Sequence, residues 1–408
     1  MASPREYVND PRFTRIFDLP PDATRGRSKP FRIAYADYGY RNEALPEQDN
    51  VLLFFGSLMG SRLIHIAKDE LAKVHKVRVI NPDRPGIGGT DAADAEHRMG
   101  LWLDAIPALL DHLGIKHISV ACHSCGVIYA LDLMLHHPEL LHPERPYLAI
   151  GAPWILPVHT GSTALRAAQS LPAGIIGQTD KMARLINNHV GPLVGTSIGL
   201  ILGLVAKLSP PSHHVSENAS GEASFEDQIW PAIVERMYAE GVRGIADDAV
   251  LVMQKHGGKV GWSNWGDYDT LVPRLAEVLR AAGRRLKVDV FYAENDHLIG
   301  SENSKGRRWF DDCWGVPQGS DIISFHCMTV NRADHDEIWM QLSILSSNVA
   351  AITAIMATLA LVAPIPDSTA IARDTASEQV LEIWLVLLQA HDVTFMLHDG
   401  MPGKRGET

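Results

Sequence analysis

The feature that most limits how this chain can fold is a recurring pair: a short apolar run of β-forming residues, then a stretch with helical spacing. VLLFFG (51–56) and VRVINPD (77–83) are continuous apolar runs bounded by turn residues, the pattern of strands buried on both faces. SRLIHIAKDELAKVHK (61–76) lies between them and has the spacing of a helix. HRMGLWLDAIPALLDHLG (97–114) carries a stripe through Leu103, Ile106, Leu110 and Leu113, with Gly114 as a stop. HISVA then reads as a strand, CGVIYALDLMLHH as a helix and YLAIGAP as a strand. Parallel strands need crossover helices, and those helices cover the sheet faces. The pattern therefore predicts an α/β fold with a doubly wound, mostly parallel sheet, preceded by strand candidates FTRIFDL and FRIAYADYGY (31–40).

The alternation stops near Pro153. It resumes at LVPRLAEVLRAAG (271–283, helix), LKVDVFYAEND (286–296, strand), DIISFHCMTV (321–330, strand) and HDEIWMQLSIL (335–345, helix). The expected organisation is a core from 1–153 and 263–348, a mostly helical insertion at 154–262, and a helical C-terminal extension at 349–408. A net charge of −11, with no basic run, makes nucleic acid a poor partner. The four cysteines, at 122, 125, 313 and 327, make no paired CxxC motifs for zinc. Reduced thiols and an N-terminus without an apolar signal region point to a cytoplasmic protein. Two uncharged runs bear on membrane association. Residues 190–206 place glycines 191, 195, 199 and 203 on one helical face, which suits a buried helix packed closely on its neighbours, with membrane contact as the alternative. Residues 349–363, and the apolar helix pattern at 378–392, leave core packing, a dimer surface and membrane contact all open.

Between strand ISVA and helix VIYALDL sits CHSCG, residues 122–126. A serine on so sharp a strand–turn–helix junction is lifted out at the C-terminal edge of the sheet. The helix N-terminus and free backbone N–H groups then face whatever the hydroxyl attacks. Small residues are needed two before and two after it; Gly126 fits, and Cys122 is small although glycine is usual. The bland alternative is a helix N-cap, where serine is favoured. Cys122 and Cys125 read as small side chains around the turn rather than a redox or metal pair.

At these residues the chain resembles the α/β-hydrolase superfamily. GSLMGSRL (56–63) is similar to the family's oxyanion loop, and VRVINPDRPGIGGTD (77–91) to its fourth strand and the loop after it. IGAPW (150–154) resembles the end of strand six, FYAENDHLIG (291–300) the segment with the acid, and VNRADHDEIW (330–339) the segment with the histidine. The order Ser…Asp…His is the family's. The resemblance implies Ser124 as nucleophile, His335 as general base and Asp296 as its orienting acid. It implies the backbone N–H groups of Ser57 and Cys125 as the oxyanion hole. Phe55 stands where the family often has histidine. Glu294 and Asp311 are local rivals to Asp296, and His297 and His326 to His335. Asp83 and Arg84 are expected to form an ion pair or loop anchor, with substrate-carboxylate binding by Arg84 as the lesser reading.

In the family the insertion caps the site and shapes the pocket, as 154–262 would here. Epoxide and haloalkane hydrolases of the same fold use an aspartate nucleophile; serine points instead to a carbonyl. The resemblance thus implies a serine hydrolase with a helical cap domain, cleaving a carboxylic ester, thioester or lactone of a small apolar molecule, with no metal or organic cofactor. The alternatives are an acyltransferase or carbon–carbon bond hydrolase with the same triad, and a non-catalytic binding protein on the same scaffold.

Overall fold

The computed structural model describes residues 3–170, 176, 225–254, 262–263, 266–296, 298–300, 304–315, 321–331 and 333–339. Its strands are β1 (Arg15–Leu19), β2 (Phe31–Gly39), β3 (Asn50–Phe55), β4 (Val77–Pro82), β5 (Ser119–His123), β6 (Tyr147–Gly151), β7 (Leu286–Ala293) and β8 (Ile323–Val330). They form one eight-stranded sheet in the order β1-β2-β4-β3-β5-β6-β7-β8. β2 runs against β1 and β4, and the pairs from β4 through β8 are parallel. The helices are α1 (Pro4–Val8), α2 (Asp69–Val74), α3 (Arg98–His112), α4 (Gly126–His136), α5 (Pro157–Thr160), α6 (Thr163–Ser170), α7 (Phe225–Glu240), α8 (Gly244–Val252), α9 (Tyr268–Ala281) and α10 (Lys305–Trp314).

The two-residue period of a strand divides each continuous apolar run between two cores. From β3, Val51, Leu53 and Phe55 enter one core, and Leu52 and Phe54 the other. β5 divides in the same way, with Val120 and Cys122 on one side and Ala121 on the other. α3, α4 and α9 cover the first face through Trp102, Ile106, Val127, Leu131, Leu271 and Leu275. Ala72 of α2, Ile229 and Ile233 of α7, and Trp339 cover the second. Each fully buried side chain of this size contributes about 1.5–3 kcal/mol. That is why these runs form interior strands although none alternates with polar residues.

Two sequence expectations are corrected. The helix expected over 61–76 is a 3-10 turn, Ile66–Lys68, followed by α2. Its first residues are drawn elsewhere: the Arg62 N–H donates to Asp83 Oδ1 at 2.5 Å, and the guanidinium turns inward to the same carboxylate. The buried stripe of α3 keeps the expected Ile106 and Leu110 and adds Trp102 and Leu109, while Leu103 and Leu113 are only partly buried. After His335 the described chain makes a 3-10 turn, Glu337–Trp339, and the remainder of the expected helix lies outside the described residues.

The described part of the insertion is helical: α5, α6, α7 and α8. Residues 190–206, 349–363 and 378–392 lie outside the described residues. Among the described residues no helix is long and apolar enough to cross a membrane.

Candidate active site

β5 ends at His123 and α4 begins at Gly126, so Ser124 and Cys125 make the whole turn. This forces Ser124 to φ +51°, the left-handed region that costs a non-glycine residue about 1–2 kcal/mol. Backbone bonds hold it there. The Ser124 N–H donates to the Gly151 carbonyl at 3.0 Å, while its own carbonyl accepts from Val127 at 3.1 Å and Trp154 at 3.2 Å. Gly126 is required by close approach. A Cβ there would lie 2.3 Å from the Phe55 carbonyl oxygen and 2.7 Å from that of Gly56. This contact brings the start of α4 against the loop after β3, so the Cys125 and Ser57 backbones share one neighbourhood.

The structure brings Ser124, His335 and Asp296 together from three separate segments. His335 Nε2 is 2.8 Å from Ser124 Oγ, and His335 Nδ1 is 2.8 Å from Asp296 Oδ2. All three are buried. Asp296 Oδ1 accepts the N–H groups of Leu298 at 2.8 Å and Ile299 at 2.9 Å. A carboxylate can only accept, so Nδ1 carries the proton and Nε2 is left to accept from the serine hydroxyl. Burial disfavours the charged carboxyl of Asp296, but the facing imidazole and the two N–H donors outweigh it and lower its pKa. Burial also pushes the His335 imidazole down, but Asp296, with smaller contributions from Asp336 and Asp334, raises it above the ordinary value.

The rivals are placed elsewhere. Glu294 is exposed. Asp311 accepts from the Tyr292 hydroxyl at 2.6 Å. His326 is exposed and lies 3.7 Å from Asp289, and His297 is outside the described residues. Both elbow cysteines are buried. The Cys122 thiol faces the Ala149 carbonyl at 3.6 Å. Burial, opposed by Arg84, pushes the Cys125 thiol up to about 12, so it stays a protonated small side chain.

Asp83 and Arg84 do not pair with each other. Asp83 holds Arg62 at 2.5 Å, and Arg62 also reaches Glu240 of α7 at 2.7 Å. Arg84 pairs with Asp248 of α8, Nε to Oδ2, at 2.8 Å. Asp248 Oδ1 accepts from Arg98 Nε at 2.9 Å and from the Tyr129 hydroxyl at 2.5 Å. Sequence reasoning missed Arg62, Arg98, Tyr129 and Asp248, because the partners of Asp248 lie between 119 and 164 positions away. One signal was present: an aspartate pair inside the otherwise apolar GIADDAVLV. A buried charge in such a run must find a partner.

This strand order, with β2 running against both of its neighbours and a sharp turn from β5 into α4, is that of the α/β-hydrolase fold. The chain superposes on an epoxide hydrolase from Vigna radiata with a TM-score of 0.50 at 14% identity, covering 84% of this chain and 98% of that one. Two further likenesses are an esterase from Thermogutta terrifontis (TM-score 0.47, 15% identity, 84% of this chain and 99% of that one) and an enol-lactonase from Burkholderia xenovorans LB400 (0.46, 13%, 81% and 95%). At such identities the likeness speaks to the fold alone. No protein-family model and no curated protein matches the sequence.

Proposed function

We propose that the chain is a serine hydrolase that cleaves a carboxylic ester, thioester or lactone of a small apolar molecule through an acyl-enzyme on Ser124. One observation carries the reading: the unbroken line from Asp296 through His335 to Ser124, with both hydrogen-bond distances at 2.8 Å, at a serine held in a strained turn. Ser124 Oγ attacks the carbonyl carbon as its proton passes to His335 Nε2. The carbonyl oxygen becomes an oxyanion facing the Ser57 and Cys125 N–H groups and the start of α4. His335 returns the proton to the leaving oxygen or sulfur, and the bond to the acyl carbon breaks. Water, deprotonated by the same nitrogen, then attacks the acyl-enzyme and releases the acid.

An apolar substrate is supported by what surrounds the loop after β3. Met59 packs with Ile87 and with Val234, Met237 and Val242 of the insertion, and Leu58 packs against them. The serine separates the chain from aspartate-dependent epoxide chemistry despite the shared fold. The test is a fluorophosphonate probe with mass mapping. Labelling of Ser124 in folded protein, and loss of ester hydrolysis in Ser124→Ala, are expected. Folded protein that neither labels nor hydrolyses would overturn the proposal in favour of a binding protein, and a Ser124→Ala variant that hydrolyses as fast would overturn the acyl-enzyme on Ser124.

A further inference from the structure

Building on the proposed role of Ser124, we infer that Arg84, aimed by Asp248 of the inserted helix α8, is a positioning residue that fixes the direction of the Ser57 N–H. Arg84 Nη1 donates to the Gly56 carbonyl at 2.6 Å, and Nη2 donates to the Ser57 carbonyl at 2.6 Å and the Leu58 carbonyl at 3.3 Å. A peptide is planar and trans, so its C=O and N–H point in opposite directions. The Gly56 carbonyl and the Ser57 N–H belong to one such plane. Gripping the oxygen therefore sets where the N–H points. The Ser57 carbonyl belongs to the next plane, so Ser57 is clamped on both sides.

The clamp meets a need of this loop. GSLMG has glycine at both ends, and glycine lets neighbouring peptides turn easily. A positive group on the Gly56 oxygen also polarises that peptide, which strengthens its N–H as a donor. The guanidinium cannot rotate within the clamp. Its Nε edge is spent on Asp248, both terminal nitrogens are spent on carbonyls, and Arg84 and Asp248 are both buried. Asp248 comes from the insertion, so the donor geometry of the core depends on α8 being docked. A lysine has the charge but not the planar fork, and could not grip two carbonyls and a carboxylate together.

The test compares Arg84→Lys with Tyr129→Phe on an activated ester. Tyr129→Phe removes a hydrogen bond from the same buried cluster, on the Asp248 oxygen that Arg84 Nε does not use, and keeps the ring beneath Arg84. Removing a whole oxyanion donor costs about 10²–10³ in kcat, so misaiming one in Arg84→Lys should lower kcat about 10- to 100-fold with KM within about threefold. Affinity for a boronic acid that forms a tetrahedral adduct should fall by the same factor. Tyr129→Phe should melt earlier and keep kcat within about threefold. Equal kcat losses in both variants, or an unchanged kcat in Arg84→Lys, would overturn the inference. If Arg84→Lys does not fold, Asp248→Asn carries the same expectation, because the amide keeps an acceptor and removes the charge that aims Arg84. Wild-type labelling at Ser124 by the fluorophosphonate reports on the serine hydrolase reading separately.

Discussion

His123 Nε2 lies 2.8 Å from the main-chain carbonyl oxygen of His335, so the residue before Ser124 holds the backbone of the residue that faces it. Burial, reinforced by the neighbouring His335, pushes the His123 imidazole down to about 3. It is therefore neutral, and its Nε2–H donates. His123→Ala would leave a cavity and a buried carbonyl without its partner, at a cost of about 2–4 kcal/mol. Denaturant unfolding should show that loss. Ester turnover should fall more than KM rises, because the imidazole loses its anchor, and His123→Gln, which keeps an N–H donor, should recover part of both. A lowered pKa also adds stability above the ordinary imidazole value that is lost as pH falls below it. Wild type should therefore destabilise on acidification from pH 6.5 towards 3 more steeply than His123→Gln.

The pairing of His335 with Asp296 sets opposite pH signs for activity and stability. A raised imidazole pKa gives stability that is complete below the ordinary value of 6.5 and lost as pH climbs through the raised one. The proposed mechanism needs neutral Nε2, so kcat/KM should rise with pH along a limb whose midpoint lies above 6.5. In Asp296→Asn the carboxylate is gone while the burial that pushes the imidazole down remains, so that midpoint should move down. By analogy with other triads, kcat should fall on the order of 10³–10⁴. A pH–rate profile of both proteins checks this; a midpoint unmoved by Asp296→Asn would count against the pairing as the cause.

The strands were legible because burial on both faces writes itself as continuous apolar runs, as in VLLFFG and YLAIG. The elbow was legible because a sharp strand–helix turn restricts residue size locally. Arg62 was not: its sequence neighbours favour a helix, and what unwinds the segment is Asp83, 21 positions on and reached only in the fold. Asp248 was hidden for the same reason. Ion clusters between core and insertion have no sequence period, since each partner sits on a different element. The role of His123 had no local signal, because the carbonyl it binds is 212 positions away.

Two glycine-to-alanine substitutions should move stability in opposite directions. At Gly126 the new methyl would meet two main-chain oxygens, 2.3 and 2.7 Å away, that cannot swing aside. Overpacking of this kind costs about 1–3 kcal/mol, and separating α4 from the loop after β3 should also slow turnover. At Gly100, exposed on α3, nothing lies within 4 Å. Alanine there should stabilise by about 0.5–1 kcal/mol through its helix preference, with turnover unchanged. Melting curves of the two variants give the comparison directly; equal shifts would deny that the Gly126 contact is specific.

The strain at Ser124 can be measured apart from its chemistry. Ser124→Ala and Ser124→Gly both remove the hydroxyl and its 2.8 Å contact with His335, so both should abolish labelling and turnover. They differ in the backbone. Alanine must still hold φ near +51° against its Cβ, whereas glycine reaches that region freely. The glycine variant gains unfolded-chain entropy, which offsets part of the relief and makes the net difference smaller than the steric term alone. Ser124→Gly should still be more stable than Ser124→Ala, by about 0.5–1 kcal/mol. If the alanine variant is the more stable of the two, the turn is not strained at this residue, and the left-handed geometry would have to be maintained by the sequence on either side rather than against the preference of the serine.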